Sequence, residues 1–534
     1  MSASWLLLLF FCLSNGDALK ILVNNPAIAP SHVEFHRAII DVLTEAGHTV
    51  HVFVPVFDFT LMPKKPLGVT KVYEVHAMDP VPLTDATFKR EQFDRAAMKN
   101  TFTIRGESYK SYLNTSTKLC DVVLANDAML AEMKAEKYDV VLSEFYDFCF
   151  FGVFHAVGIK TMIITSATPI NELISYYYGI PSPRSYVTNT LSSYSTAPQL
   201  SYFQRIDNLY NSVADYFVMK ALVAKTNAKL QRKFGPTFAG IEEIMLNTSL
   251  SFVNAAYMLD LPRPTTHKVI NIGGVNVKTP KKSLDPSIAA VFKKAKKGVV
   301  LVSFGSLAES DLMKAEMKEA FINSFAAFPD FEFIWKFTPA NVNESQRLDS
   351  HGNIHPVDWM DQTTILNQPK LRAFITHCGL NSLTESVHAG KPMIAIPLFA
   401  DQDYNAAIVS QRRVGVFVEI ATVDETTMTA ALRQVLEDAE FYENAQLLQR
   451  KMLMHPNDPR TLVVKWVEYA AEFGDLHEHL NLESVGMDYF TYFCLDIIVP
   501  GIFVAVSMLF IFVRVAALAF RQLSSLREAK RKAD

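Results

Sequence analysis

The stretch 359–402 decides how this chain folds around its site. It reads Trp359-Met-Asp-Gln362, then Ala373-Phe-Ile-Thr-His377-Cys-Gly379-Leu-Asn381-Ser382-Leu-Thr-Glu385, and it closes with Asp401-Gln402. The apolar run 373–376 predicts a buried strand, and the turn after it predicts a helix start near Asn381. Ligands of open parallel sheets bind beyond the carboxyl ends of the strands, where a helix N-terminus offers free N–H groups to an anion. The stretch therefore predicts an α/β domain with an anion site at this turn.

Strand-like and helical segments alternate in both halves of the chain. Residues 20–24 and 48–54 are apolar, strand-like runs on either side of a helical pattern that begins at Ser31, and this order predicts a parallel α/β sheet. A second such run begins at Gly298, and 280–286 has linker composition. Because 534 residues are too many for one core, the sequence predicts two α/β domains.

The polar residues of 359–402, in this order and spacing, resemble the donor signature of the UDP-glycosyltransferases, the glucuronosyltransferase-like family. The resemblance extends over nearly the whole chain and implies the GT-B architecture, in which two Rossmann-like domains face each other. We expect an N-terminal acceptor-binding domain over 19–279 and a C-terminal UDP-sugar-binding domain over 280–485.

The resemblance also implies roles for single residues. The uracil would stack on Trp359, and Gln362 would bind the nucleoside. The remaining donor contacts go to the ribose (Glu385), the diphosphate (Arg263, Ser306, His377, Gly379, Asn381, Ser382) and the sugar hydroxyls (Asp401, Gln402). The sequence departs from many relatives at Asp361, where they have proline.

A catalytic pair follows from the same resemblance. Transfer to a hydroxyl needs a base, and histidine side chains titrate near neutral pH. His32, where the first strand passes into its helix, matches the family's base, with His36 as the competing residue. The carboxylate that orients the base corresponds to Glu144, where many relatives have aspartate, and Asp147 is the alternative.

Composition narrows the class of partner. The formal charge of −4 and the lack of a basic stripe give no sign of nucleic-acid binding. No clustered Cys/His pattern indicates a zinc site, and five cysteines are too few for a disulfide scaffold. Asp401-Gln-Asp403 has an Asp-x-Asp spacing, but three-residue acid patterns are common, so we expect no metal and no cofactor besides the UDP-sugar co-substrate.

Both ends carry targeting patterns. Residues 5–13 are apolar but too short to cross a bilayer, and small residues follow, so we assign 1–18 as a signal peptide. The segment 493–520 reaches transmembrane length. Basic residues dominate the tail 521–534, which predicts a cytosolic tail and a luminal catalytic region, that is, a single-pass type I protein. The last five residues, 530–534, look like a dilysine retrieval signal of the endoplasmic reticulum, and three sequons fit a luminal chain: Asn114, Asn247 and Asn343.

The sequence thus predicts a membrane-anchored enzyme that transfers glucuronic acid or glucose from a UDP-sugar to a small lipophilic acceptor, with inversion. Two alternatives stay open, namely a UDP-sugar epimerase and a UDP-sugar-binding protein that has lost catalysis. The donor sugar, the acceptor, and assembly into homo- or hetero-oligomers are left open as well.

Overall fold

A computed structural model describes residues 18–58, 61, 65–77, 93, 102–189, 200–339, 341, 346–348 and 350–533. The predicted signal peptide, apart from Ala18, and the sequon at Asn343 lie outside these ranges. Two compact units make up the chain, of which the first ends at Leu480 and the second comprises 481–534.

The first unit contains a seven-stranded parallel sheet in the order β3-β2-β1-β4-β5-β6-β7. This is the strand order of a Rossmann fold with one strand added at the edge. The strands are β1 (Lys20–Asn24), β2 (Thr49–Val56), β3 (Lys71–His76), β4 (Val140–Glu144), β5 (Thr161–Ser166), β6 (Leu250–Val253) and β7 (Val269–Asn271). The helices between them are α1 (Pro30–Glu45), α2 (Phe102–Ala125), α3 (Asp127–Glu136), α4 (Phe148–Ala156), α5 (Glu172–Tyr177), α6 (Tyr202–Phe234) and α7 (Ile241–Leu246).

A second parallel sheet has six strands in the order β10-β9-β8-β11-β12-β13, which repeats the Rossmann order. Its strands are β8 (Gly298–Ser303), β9 (Phe331–Lys336), β10 (Ile354–Val357), β11 (Leu371–Thr376), β12 (Met393–Ala395) and β13 (Gly415–Phe417). The associated helices are α8 (Pro286–Lys294), α9 (Ala315–Ala326), α10 (Gln362–Leu366), α11 (Leu380–His388), α12 (Gln402–Gln411), α13 (Glu425–Glu437) and α14 (Ala439–Leu453). The predicted pair of Rossmann-like α/β domains is therefore confirmed.

Each sheet is buried on both faces, as parallel sheets are. Beneath α1, the first sheet packs Ile21 and Val23 against Phe35 and Ile39. The second sheet has one apolar layer on each side, and both layers are fully buried at their centres. Rigid strands of this kind hold the loops at their carboxyl ends in fixed positions.

The chain returns to the first sheet before it leaves the unit. Helix α15 (Pro459–Phe473) places Val463, Val467 and Ala470 in the core beneath α1. This apolar stripe, spaced four and three residues apart, is what a helix needs to bury one face. Residues 459–480, which the sequence analysis had included in the second domain, therefore pack on the first.

A disulfide joins Cys120 to Cys149 and ties α2 to the start of α4. The sequence analysis predicted no pairing, because five cysteines show no spacing that selects partners. Disulfides of this kind are typical of proteins that fold in oxidising compartments.

The second unit carries the helix α18 (Leu495–Ala533), after the short α16 (His477–Leu480) of the first unit and α17 (Tyr489–Tyr492). The most apolar 18-residue window of α18 has a mean hydropathy of 2.5, and none of that window is buried. By length and composition, α18 is a candidate membrane span, and it contains residues 495–520 of the predicted segment 493–520.

Candidate active site

The predicted catalytic residues meet at the carboxyl end of the first sheet. His32 lies in the first turn of α1, directly after the loop that follows β1, and Glu144 is the last residue of β4. Nδ1 of His32 lies 3.3 Å from Oε2 of Glu144, and that oxygen also accepts the Ala167 N–H at 3.3 Å. Since Nδ1 is directed at the carboxylate, Nε2 is the ring nitrogen that remains for an acceptor.

Glu144 is almost completely buried, with 1% of its surface exposed. Its Oε1 atom has no hydrogen-bond partner among the described residues. The extra methylene, relative to the aspartate of many relatives, does not separate this carboxylate from His32.

His36, the competing base, is fully buried and bonded through both ring nitrogens. Its Nδ1 lies 2.8 Å from the His32 carbonyl, and its Nε2 lies 2.8 Å from Oγ1 of Thr165. Burial lowers the pKa of His36, although the charge of Glu144 opposes this. A neutral ring that donates from Nδ1 and accepts at Nε2 satisfies both contacts, so His36 supports the main chain of His32 and has no free face for an acceptor.

Asp147, the alternative carboxylate, has a different set of partners. Its side chain caps α4 by accepting from the Cys149 N–H at 2.9 Å, and it accepts from Oγ of Ser116 at 2.5 Å. Burial raises the pKa of Asp147 to about 6, while the bonds from Ser116 and Cys149 lower it. The structure thus brings Glu144, and not Asp147, to His32.

A concave space opens beside this pair. Its accessible volume is about 10 Å³, the room of about one water molecule, and Glu144, Asp147, Tyr146 and Phe57 are among its lining residues. The Tyr146 ring lies 5.3 Å from the His32 ring.

The predicted anion turn lies at the end of β11. Cys378 has a left-handed backbone with φ of 62°, its N–H donates to Oγ1 of Thr376, and its carbonyl accepts from Nδ2 of Asn405. Helix α11 begins at Leu380 with Gly379 as its N-cap, and no side chain caps it. The helix therefore starts slightly earlier than the sequence predicted, and its first N–H groups are available to an anion.

Gly379 is needed for space. Its φ is an ordinary −59°, but a Cβ at this position would lie 2.6 Å from Nε2 of His377. A Cβ at Gly305, in the turn after β8, would lie 2.8 Å from the same ring. The imidazole of His377 is thus packed between two glycines.

His377 is neutral in this setting. Burial, together with the charge of Lys336, lowers the pKa of His377 to about 4. Its Nδ1 is buried and has no hydrogen-bond partner in the described part of the chain. We infer that His377 offers a hydrogen bond, and not a positive charge, at the diphosphate position.

Lys336 supplies a charge that the sequence analysis missed. Its Nζ donates to the Gly305 carbonyl at 2.7 Å and lies 4.8 Å from the centre of the Trp359 ring. Trp359 is 77% exposed. The only sequence signal for Lys336 is its place as the last residue of strand β9.

The residues predicted to bind the nucleoside form one cluster. Nε2 of Gln362 donates to Oε2 of Glu385 at 2.6 Å and to Oγ of Ser382 at 3.3 Å. Burial raises the pKa of Glu385, while Gln362 and the charge of Lys278 lower it. Glu385, Gln362 and Ser382 thus lie together beside the start of α11, as the resemblance implied.

The predicted sugar residues lie at the start of α12. Oε1 of Gln402 accepts the N–H groups of Leu398 and Phe399, so its oxygen shapes the loop and its NH₂ group is the part left for a ligand. Asp401 accepts from Nδ2 of Asn405 at 2.9 Å. Asn405 therefore joins Asp401 to the anion turn.

Asp401 is a buried carboxyl. Burial raises the pKa of Asp401, whereas the Asn405 bond and the charge on His32 lower it. The segment after β7 contacts both α1 and α11, so the carboxyl ends of the two sheets face a common cleft.

Two residues predicted to bind the diphosphate, Arg263 and Ser306, lie in different parts of the structure. The guanidinium of Arg263 donates to the Ile170 carbonyl at 2.8 Å and to Oγ of Ser175 at 3.2 Å, within the first domain. Ser306 is exposed in the turn after Gly305. The structure brings Ser306 to the anion turn through Gly305, whereas Arg263 supports the loop before α5.

The segment after β7 reaches across the cleft. Nδ2 of Asn276 donates to Oδ1 of Asn381 at 2.9 Å, and Lys278 forms an ion pair with Glu34 at 3.0 Å. Sequence analysis missed both residues, because a contact between distant segments leaves no local pattern.

Comparison with known proteins agrees with this geometry. The family model described as UDP-glucoronosyl and UDP-glucosyl transferase matches residues 20–532. The chain belongs to this family.

Similar family members come from animals. A putative UDP-glucuronosyltransferase of Caenorhabditis briggsae is 28% identical over 94% of each chain. The human 2-hydroxyacylsphingosine 1-beta-galactosyltransferase is 25% identical over 98% of this chain and 92% of its own. The chain is therefore a glycosyltransferase that takes its sugar from a UDP-sugar.

Solved structures share the fold. The glycotransferase of kitacinnamycin superposes with a TM-score of 0.58 at 17% identity, covering 85% of this chain and 99% of the other. Os79 from O. sativa, in complex with U2F and trichothecene, gives 0.56 at 16% identity, over 85% and 100%. The GT-B architecture implied by the resemblance is confirmed.

Proposed function

We propose that this chain is an inverting UDP-glycosyltransferase that needs no metal, with His32 as the base and a small lipophilic molecule as the acceptor. The observation that carries the proposal is the contact of Nδ1 of His32 with buried Glu144 at the carboxyl end of the first sheet, which the segment after β7 joins to the start of α11. A base in that place has its Nε2 left for the acceptor hydroxyl.

In the proposed reaction, Nε2 of His32 takes the proton of the acceptor hydroxyl. The acceptor oxygen bonds to the anomeric carbon as the bond from that carbon to the diphosphate oxygen breaks, so one displacement inverts the configuration. The carboxylate of Glu144 holds the ring tautomer and stabilises the imidazolium that forms. Its burial strengthens that interaction, because little water screens it.

The leaving UDP carries its negative charge at the start of α11. Uncapped N–H groups and the positive end of the helix stabilise that charge, and neutral His377 adds a hydrogen bond. Lys336 is the nearby cation, and we propose that it takes the place that the sequence analysis gave to Arg263. We expect the reaction to proceed without a divalent cation.

We further propose that the donor is UDP-glucuronate or UDP-glucose and that the chain lies in the endoplasmic reticulum membrane with its active site in the lumen. The Cys120–Cys149 disulfide supports an oxidising compartment. Asn114 and Asn247 are exposed, as glycan acceptors must be. Apolar acceptors that partition into lipid would be concentrated near an enzyme anchored by α18.

The test combines donor binding with transfer. UDP-glucose, UDP-glucuronate and UDP-galactose are compared as stabilisers against thermal unfolding, since a bound ligand stabilises only the folded state. Transfer to a naphthol is then followed, with the anomeric configuration of the product read by NMR. His32→Ala should reduce transfer by about 10²–10⁴-fold, the range for a lost general base, and should leave donor stabilisation unchanged.

Each alternative predicts a different result. Full transfer by His32→Ala would remove the proposed base. Donor stabilisation without transfer by the unaltered protein would support the binding protein, and conversion of the UDP-sugar without an acceptor would support the epimerase. A retained anomeric configuration would exclude the single displacement.

A further inference from the structure

Helix α12 begins at the residues predicted to bind the sugar, and it is buried along most of its length. One of its faces belongs to the second domain. Ala406 and Val409 lie in the apolar core of the second sheet, and Nδ2 of Asn405 donates to the Cys378 carbonyl in the anion turn at 3.0 Å. This face fixes α12 to the domain that carries the anion turn.

Another face of α12 meets a segment of the first domain, residues 258–261 between β6 and β7, which we call the β6–β7 segment. Tyr404, Ile408 and Arg412 follow one another at intervals of four residues and so form one stripe along the helix. Tyr404 and Ile408 pack with Leu261 in an apolar cluster of their own. The Arg412 guanidinium donates to two carbonyls of the segment, at 3.1 Å each. The helix is therefore bound to both domains.

One hydrogen bond in this contact lies at the start of the helix. The Tyr404 hydroxyl donates to Oδ1 of Asp260 at 2.5 Å, and the Leu261 N–H donates to the same oxygen at 2.8 Å. Tyr404 is buried, so little water competes for its bond. Because Tyr404 follows Gln402 by only two residues, this bond holds the first turn of α12 against the first domain.

The β6–β7 segment is itself firmly supported. Arg263, two residues beyond it, donates to the Ile170 carbonyl at 2.8 Å and to Oγ of Ser175 at 3.2 Å. The charge of Arg263 also acts on the carboxyl of Asp260, whose pKa burial raises and this charge lowers. Asp260 is therefore a fixed point of the first domain from which the start of α12 can be positioned.

We propose that Asp260 and Tyr404 position the start of α12 for the donor sugar and thereby set which sugar the enzyme prefers. The proposal rests on the proposed function and on the roles of Asp401 and Gln402 as partners of the sugar hydroxyls. Sugars that differ at one position are distinguished by hydrogen bonds, whose strength depends on distance and angle. A shift of the helix start weakens such bonds. UDP is held at α11 instead, so loss of the Tyr404 bond should affect UDP-sugars and not UDP.

The test measures the dissociation constants of UDP, UDP-glucose, UDP-galactose and UDP-glucuronate by calorimetric titration of the full chain in detergent. Tyr404→Phe removes the hydroxyl and keeps the ring in its apolar cluster, and Asp260→Ala removes the acceptor of the bond. Tyr138→Phe is the matched control. Tyr138 is also buried and donates from its hydroxyl to that of Tyr73, but it precedes β4, at the end of the strand opposite Glu144.

We expect Tyr404→Phe and Asp260→Ala each to raise the dissociation constant of the preferred UDP-sugar by about three- to tenfold, the effect of one hydrogen bond. The dissociation constant of UDP should not change, and the three UDP-sugars should bind more equally. The double variant should lose no more affinity than either single variant, since both remove the same bond. Tyr138→Phe should unfold at a lower temperature than the parent, as Tyr404→Phe should, but bind every ligand like the parent.

An equal loss of affinity for UDP and for the UDP-sugars would overturn the proposal, because the bond would then support the whole donor site. So would parent-like affinities in Tyr404→Phe, an equal loss of sugar preference in Tyr138→Phe, or a parent without any preference among the three UDP-sugars. No acceptor is present, so the result does not depend on whether His32 is the base. A parent that shows the expected preferences but transfers none of the sugars would contradict the proposed function alone.

Discussion

Nε2 of His36 lies 3.5 Å from Oε2 of Glu144, the same oxygen that His32 reaches at 3.3 Å. One buried carboxylate oxygen therefore faces two histidines, of which only His32 has access to the cleft. His36 also bonds to the carbonyl of His32 and to Thr165 on the adjacent strand β5. His36 thus fixes the helix turn that carries the proposed base, His32, to the sheet.

Glu144→Gln should abolish most transfer while the fold persists. The amide has the shape of the carboxylate but no charge to stabilise an imidazolium, so we expect kcat to fall by about 10²–10⁴-fold. Steady-state kinetics with a naphthol acceptor measure this. Glu136→Gln is the matched control, since Glu136 pairs with Lys20 and Lys71 away from the site, and its kcat should be unchanged. Equal activity of Glu144→Gln and the parent would contradict the catalytic pair.

Gly379→Ala should weaken donor binding through His377. The new Cβ would lie 2.6 Å from Nε2 of His377, so the ring must move from its place between Gly305 and Gly379. A displacement of about 1 Å at such a site costs on the order of 10²-fold in rate, and we expect a comparable rise in KM for the UDP-sugar. Gly240→Ala is the control, because its Cβ would meet no atom nearer than 3.6 Å. An unchanged KM for the UDP-sugar in Gly379→Ala would show that His377 does not contribute to donor binding.

The anion turn at the end of β11 was the part of the site that the sequence predicted most directly. Its residues lie in one continuous stretch, and the change from an apolar strand to a polar helix start is a local pattern. The structure brings His32 and Glu144, paired by the resemblance, to 3.3 Å from each other, but residues alone did not choose between Glu144 and Asp147. That choice needed the register of β4 beside β1, which puts Glu144 at the carboxyl end of the sheet, next to the helix turn that carries His32.

The features that were missed depend on contacts between distant segments. Lys336, Asn276 and Asn405 have no local pattern around them, and each meets the site only after the sheets have formed. The return of α15 to the first sheet has the same cause, since an amphipathic helix shows that it buries a face but not against which partner. The pairing of Cys120 with Cys149 likewise follows from how α2 and α4 pack.

Donor affinity should be nearly independent of pH between about pH 5.5 and 8, because a histidine with a pKa of about 4 stays neutral there. A cationic histidine of ordinary pKa would instead bind the diphosphate more tightly as the pH fell below about 6.5. Calorimetric titration with UDP-glucose or UDP-glucuronate, whichever binds, measures the effect. His377→Gln, which keeps an N–H donor, should show the same flat profile. If acidification raises the donor affinity of the parent but not that of His377→Gln, then His377 binds the diphosphate as a cation.

Asp147→Asn should stabilise the folded protein at neutral pH. The folded-state pKa of Asp147 is raised by burial from 3.8 to about 6, so between these values the folded state holds a proton that the unfolded state has released. The contribution of Asp147 to the free energy of unfolding is therefore fully present below about pH 4 and declines as pH rises through about 6, by up to about 3 kcal/mol in total. An asparagine keeps both hydrogen bonds, because its carbonyl accepts from the Cys149 N–H and its NH₂ donates to Oγ of Ser116. The variant and the parent should then have equal stability near pH 4, and the variant should unfold at a higher temperature at pH 7, as thermal unfolding across this range will measure.

Asp424→Asn is the control of opposite sign. Bonds from Thr427 lower the pKa of that exposed carboxyl, so the ionised group stabilises the fold, and its replacement should not raise the unfolding temperature at pH 7. Parallel pH profiles of Asp147→Asn and the parent would contradict this prediction, because they would show that the pKa of Asp147 is the same in the folded and unfolded states.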